Sequence, residues 1–185
     1  MVTLYRCFPY SAAIKKIEPG HPLFIPASRS KGRINNPDIY SSSYWSAQPE
    51  CAVAEVYGSQ MQWSSGTFAG TPKLPKTHHA IAAIEIPDDA RIFSMDNAPN
   101  LVKLKLRPSQ VVTRNNEVTQ AWARKIFELR KFAGISWWSI LWPEWQSYGL
   151  WSLAGVKILD IENLSIGHIA VLESGKVLNK QVLAH

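Results

Sequence analysis

The chain has 185 residues, 46% of them hydrophobic and 18% charged, which suits one globular domain with a proper core and excludes a disordered chain. Its formal net charge of +6 favours anionic partners such as nucleotides, phosphate, nucleic acid or an acidic protein; the lysines and arginines are dispersed without a long basic block, so direct nucleic-acid binding is the weaker expectation. Two cysteines, Cys7 and Cys51, give no disulfide framework, and the five histidines lack HExxH-like spacing, which argues against a metal site.

Residues 2–8 alternate as a strand, with Val2, Leu4, Arg6 and Phe8 on one face and Thr3, Tyr5 and Cys7 on the other. Arg6 fits two readings, a sheet-edge arginine whose head reaches water or an inward arginine that lines a pocket. No signal-peptide core precedes this strand and no apolar run is long enough to span a bilayer, so the expectation is a cytoplasmic protein with no membrane partner. Leu23-Phe24-Ile25 reads as a short extended piece ended by proline. Residues 27–38 read as a polar loop with Arg29, Lys31 and Arg33 at alternate positions and a turn at Asn36-Pro37.

Residues 40–45 suggest a strand with Tyr40, Ser42 and Tyr44 on one face. Pro49 fits the first position of the next helix, and Gly58 its C-terminal end. A loop is expected over residues 64–76 and a strand over 78–86. Residues 101–106 alternate with Lys103, Lys105 and Arg107 on one face, as in a lysine-protected edge strand. Residues 119–133 predict an amphipathic helix with Trp122, Ile126, Leu129 and Ala133 as its apolar stripe and Gly134 closing it. Residues 135–142 and 156–161 read as strands, and the tail beyond Asn163 is ambiguous. Strands and helices mix without regular alternation, repeats or linkers, so the class is α+β in a single domain, residues 1–185.

One residue stands out. In Cys51-Ala52-Val53-Ala54-Glu55-Val56-Tyr57-Gly58 every neighbour of Glu55 is apolar or aromatic, which predicts a buried helix and a carboxylate that costs free energy unless paired. Arginine, tyrosine and glutamate within one short window suit a ligand that bears phosphate and ribose. Taken singly, Arg33 fits an ordinary loop residue, Tyr40 and Tyr44 fit core aromatics, and Ser139 fits a polar residue filling a strand. Glu55 alone favours a functional role, its alternative being a buried pair with an arginine.

The ordered set His21-Pro22-Leu23, Gly32-Arg33-Ile34-Asn35-Asn36-Pro37, Tyr40, Tyr44 and Ala52-Val53-Ala54-Glu55-Val56-Tyr57-Gly58 resembles the RES domain. That family is named for an arginine, a glutamate and a serine. Arg33 and Glu55 match the first two, and Ser139, in Gly134-Ile135-Ser136-Trp137-Trp138-Ser139, matches the third. Leu4-Tyr5-Arg6 is similar to the family's opening strand, so the resemblance is strongest over residues 5–160. The sequence departs from many members at Ser30-Lys31-Gly32 before the arginine, at Ile140 after the serine, and in its abundance of tryptophan.

The resemblance implies a fold like that of ADP-ribosyltransferases, with mixed sheets and flanking helices. It also implies the toxin half of a toxin–antitoxin pair that destroys NAD⁺. NAD⁺ would be a substrate and inorganic phosphate the co-substrate, with water as the other acceptor and no permanently bound cofactor. A minority branch modifies a protein with ADP-ribose. The implied partner is an Xre-type helix-turn-helix antitoxin, with a homodimer inside that complex as a further expectation. Glu55, Arg33 and Tyr44 would be catalytic, and Arg6, Tyr40 and Ser139 would bind the substrate. Tyr44 or Tyr40 would stack on nicotinamide, with Tyr44 favoured by the resemblance. Arg33 or Arg6 would either pair with Glu55 or clamp the pyrophosphate. A non-enzymatic basic binding module remains the contrasting class.

Overall fold

The computed structural model describes residues 1–25 and 32–183. Arg29 and Lys31 of the expected loop lie outside the described residues.

β1 (Val2–Tyr10) and β4 (His78–Ile86) form the longest ladder, an antiparallel pair that runs from Val2 opposite Ile86 to Tyr10 opposite His78. β1 follows the alternation in its sequence. Around them a seven-stranded mixed sheet runs in the order β5-β6-β7-β2-β1-β4-β8. Its other members are β2 (Ser43–Ser46), β5 (Ile92–Ser94), β6 (Gly134–Trp138), β7 (Gln146–Leu150) and β8 (Lys157–Asn163). Only β5 and β6 are parallel; the other pairs are antiparallel. A short parallel pair, β3 (Gln62–Ser64) with β9 (Gln181–Leu183), stands apart from this sheet. The α+β class expected from the sequence is the class observed.

α1 (Pro49–Tyr57) begins at Pro49 as expected and ends at Gly58. It packs with α5 (Ile169–Val177) over Cys7 and Ile81 of the central ladder, and Val53, Tyr57, Trp63 and Val171 fill that layer. A second layer is made by α2 (Ala98–Leu104), α3 (Pro108–Val111) and α4 (Asn116–Glu128), whose Leu101, Val111, Trp122 and Ile126 close over Phe93 and Ile135.

Several sequence expectations are corrected. Residues 101–106 are not an edge strand but the last turn of α2 and the start of its connection to α3. The Asn97 side chain accepts from Asn100 N as an N-cap, proline enters at the helix start, and Lys105 turns left-handed at φ 56° to end it. α4 starts earlier and ends earlier than the apolar stripe suggests. Arg130 adopts φ 55°, the chain leaves the helix, and Gly134 opens β6 instead of closing α4. Leu23-Phe24-Ile25 forms no strand, and β6 stops at Trp138, short of residue 142. The strand expected over 40–45 is confined to Ser43–Ser46, because the Tyr40 hydroxyl donates back to Ile34 O at 2.7 Å and closes a loop.

α1 is also not buried all round. Cys51, Ala52, Val53, Ala54 and Tyr57 are buried, but Glu55 and Val56 are exposed along one open side. Burial of Cys51 raises its thiol pKa to about 12, in keeping with its reading as a small apolar residue.

Candidate active site

β1 and β2 pair at a single position, Tyr5 opposite Ser46. A cavity of about 370 Å³ lies at this junction, lined by Tyr5, Arg6 and Cys7 from one strand and by residues 42–46 on and before the other. α1 supplies Ala52, Glu55 and Val56 as its third wall, with Trp137 and Ser147 from β6 and β7 behind them. The mix of aromatic rings with a few convergent polar groups is that of a small-molecule site.

Glu55 is the acidic group of this lining. Its Oε1 accepts from Ser139 Oγ at 2.8 Å and from Ser147 Oγ at 3.3 Å. Ser139 lies just beyond β6 and is 1% exposed. Its oxygen accepts from Leu141 N at 3.1 Å, which directs its proton to the carboxylate. Ser147 comes from β7, so two neighbouring strands hold one oxygen. Among the described residues, Oε2 has no hydrogen-bond partner and Glu55 has no ion pair.

Of the two readings of Arg6, the inward one is observed. Arg6 lines the cavity, donates to Phe24 O at 2.9 Å and Pro22 O at 3.3 Å, and lies 5.7 Å from the centre of the Trp45 ring. Burial lowers its pKa to about 10, which leaves it cationic at neutral pH. Arg33 stands on the loop outside the lining. Its Nη1 donates to Val111 O at 2.7 Å, tying it to the α2–α4 layer. Burial lowers its pKa, and the nearby Glu55 carboxylate and then Tyr44 oppose that shift. Arg33 is thus within electrostatic reach of Glu55 without touching it.

The loop around Arg33 is fixed by its backbone. Thr119 Oγ1 donates to Arg33 O, Gln120 Nε2 to Gly32 O at 2.9 Å, and the Tyr44 hydroxyl accepts from Ile34 N at 3.1 Å. The same hydroxyl donates to Asn35 Oδ1 at 2.9 Å, an oxygen that Ser42 also reaches. Gly32 is required by this crowding. A Cβ there would lie 2.6 Å from both Tyr44 Oη and Asn35 Nδ2. Tyr44 lines the cavity with its ring edge against Trp137. Tyr40 does not line it. Its ring packs on Phe127 and Trp151, and burial raises its pKa to about 12.

The structure therefore brings Glu55, Arg6, Tyr44 and Ser139 together, leaves Arg33 outside the cavity lining and places Tyr40 in the core. Sequence reasoning missed Ser147, Asn35 and Trp45. Ser147 belongs to β7, a strand not foreseen, while Asn35 lies within the Gly-Arg-Ile-Asn-Asn-Pro run and was available as a signal. Among the described residues no group of three or more histidine, cysteine, aspartate or glutamate side chains could hold a metal. Among them, too, no helix is long and apolar enough to cross a membrane.

The chain belongs to the RES-domain family, whose model matches residues 3–169. No curated protein matches it significantly. Among solved structures it is similar to a chain of the crystal structure of the M. tuberculosis MbcT–MbcA toxin–antitoxin complex. The two share 13% identity, with a TM-score of 0.64 over 97% of this chain and 90% of that one. At that identity the likeness extends to the fold.

Proposed function

We propose that this chain is the toxin of a toxin–antitoxin pair and cleaves the nicotinamide–ribose bond of NAD⁺, passing ADP-ribose to inorganic phosphate or water. The observation that carries the reading is Glu55. Its carboxylate faces an aromatic cavity with one oxygen held by two serines and the other unclaimed among the described residues. Family membership and the relative found in a toxin–antitoxin complex support the same reading.

The chemistry suits these residues. As the C1′–N bond breaks, its electron pair goes to the pyridinium nitrogen, so nicotinamide leaves neutral and needs no strong general acid. Positive charge develops on the ribose, and a fixed carboxylate stabilises it. Oε2 of Glu55 faces that charge or holds a ribose hydroxyl, while Ser139 and Ser147 set the carboxylate's orientation. A phosphate or water oxygen then bonds to C1′; in the case of water the spare proton passes to solvent. Arg6 binds the pyrophosphate, Arg33 adds positive potential behind it, and Tyr44 with Trp137 frames the nicotinamide ring. The partner is an antitoxin of the Xre helix-turn-helix kind that covers the cavity mouth.

Nicotinamide release from NAD⁺, followed with and without inorganic phosphate, tests the reading. Glu55→Gln should lower the rate by about 10²–10³-fold, as loss of one preorganised charge-stabilising group does elsewhere. Stimulation by phosphate would identify phosphorolysis. Wild-type rates in Glu55→Gln would overturn the assignment, and absence of release under both conditions would move it to a protein acceptor.

A further inference from the structure

The charge of this molecule is concentrated in one layer. Residues 91–131 hold nine lysines and arginines against three acids, which equals the whole formal +6 of the chain; elsewhere the two signs balance at eleven each. That segment builds β5, α2, α3, α4 and their connections. All nine cations are exposed. Among the described residues Arg124 is the one of the nine with an ion pair, to Glu128. The apolar residues of the layer, Leu101, Val111, Trp122 and Ile126, are turned inward and buried. None of residues 91–131 lines the Glu55 cavity.

We infer that the α2–α4 layer is a docking surface for the phosphate backbone of nucleic acid. A protein partner is favoured by an apolar, aromatic centre and disfavoured by lysine. This surface has the opposite make-up. It exposes no large aromatic side chain, its large exposed hydrophobics are the isolated Val102 and Leu129, and its cations lie on α2, on α4 and in the connections around the helices. Eight of these nine exposed cations have no ion pair among the described residues, which suits a line of phosphates that such a surface binds without reading sequence. The nine cations fall at intervals over residues 91–131 without a long basic block, which concealed the excess. Docking there leaves the cavity open, so binding and NAD⁺ cleavage are separable.

The test uses the full chain and a fluorescein-labelled 20-base-pair DNA duplex, with binding followed by anisotropy across a salt series. A triple variant, Lys103→Gln, Arg114→Gln and Lys125→Gln, removes one exposed cation each from α2, the α3–α4 connection and α4. Loss of three phosphate contacts should reduce the slope of log K against log salt by about 2.7, so that from about 50 to about 200 mM salt the variant loses about 40-fold less affinity than the parent. A control triple outside the layer, Lys15→Gln, Lys16→Gln and Lys73→Gln, should keep the parental slope. Melting curves and nicotinamide release should be unchanged in both variants. The inference is overturned if the parent does not bind the duplex, if the control triple reduces the slope equally, or if poly-glutamate of equal charge displaces the duplex as well as unlabelled DNA does. The last result would assign the surface to an acidic protein.

Discussion

Ser139→Ala probes how the Glu55 carboxylate is held. The hydroxyl donates to Oε1 at 2.8 Å and accepts from Leu141 N at 3.1 Å, in a position 1% exposed. A hydrogen bond to a charged group contributes about 1.5–3 kcal/mol, against about 1 kcal/mol for a neutral one. If the fixed orientation of Glu55 is used in the transition state, most of the larger figure appears as a fall in kcat of about 10- to 100-fold, with KM nearly unchanged. The neutral bond to Leu141 is lost as well, and thermal or urea unfolding should register about 1 kcal/mol. Ser147 sits at 3.3 Å from the same oxygen, so Ser147→Ala alone should cost about threefold. The double variant should lose more than the product of the single losses, because either serine alone still holds the oxygen. Steady-state nicotinamide release over a range of NAD⁺ concentrations provides the numbers. A Ser139→Ala enzyme within about threefold of wild type would refute the positioning argument. A loss wholly in KM would place Ser139 on the substrate instead of on Glu55.

Three further outcomes rest on the same geometry. Tyr44→Phe removes the oxygen that accepts from the buried Ile34 N–H and should destabilise the protein by about 1–3 kcal/mol in urea unfolding; a change below about 0.5 kcal/mol would mean that the loop is held without it. Gly32→Ala forces a methyl against Tyr44 Oη and Asn35 Nδ2 and should cost about 1–3 kcal/mol by the same assay, with an unchanged midpoint counting against the crowding. His79 has its pKa lowered, first by burial and then by His78, and its Nδ1 is 2.7 Å from the Tyr57 hydroxyl. Below about pH 6.5 the unfolded histidine binds a proton that the folded one resists, so stability should fall as pH drops from about 7 to about 5. His79→Gln should flatten that fall in melting temperature, and an identical slope in the variant would assign the acid sensitivity elsewhere.

Legibility in the sequence depended on whether the local pattern was also the one that packing used. β4 was readable to its ends because its alanine–isoleucine run, suited to burial on both faces, met a proline-aspartate stop. α1 was readable at both ends for similar reasons. The stretch from Leu101 to Leu106 alternates like a strand, yet Leu101 and Leu104 also stand at helical spacing, and the decisive signals were the Asn97 cap and Pro99. For α4 the stripe ran past the true end because Leu129 and Ala133 continue its period, while Arg130 enters the left-handed region and breaks it. Glu55 was found but its surroundings were inverted. A single helical sequence cannot show that one of its sides faces a cavity formed where two strands meet at a single pair of residues.

That inversion bears on what Glu55 is for. A structural glutamate in an apolar helix would need a cation against it, and an arginine would cancel its charge. Among the described residues the donors are hydroxyls, which orient a carboxylate without neutralising it. Arg6 and Arg33 are held off by the opposite device. Arg6 rests on the carbonyls of Pro22 and Phe24 and on the Trp45 ring, and Arg33 rests on the carbonyl of Val111. Neutral partners thus fix both signs of charge apart from one another around a single aromatic cavity. Separated charges held this way cost folding free energy that collapse into an ion pair would recover. The arrangement suits a ligand that carries both signs itself, one end becoming cationic at a ribose while the other presents phosphates. Moving a cation onto the carboxylate should therefore stabilise the fold and abolish turnover together. Val56→Arg, beside Glu55 on the exposed side of α1, is the substitution to make. A higher melting temperature with lost nicotinamide release is the expected result, and a Val56→Arg protein that still releases nicotinamide at the wild-type rate would show that the open charge is not what the site uses.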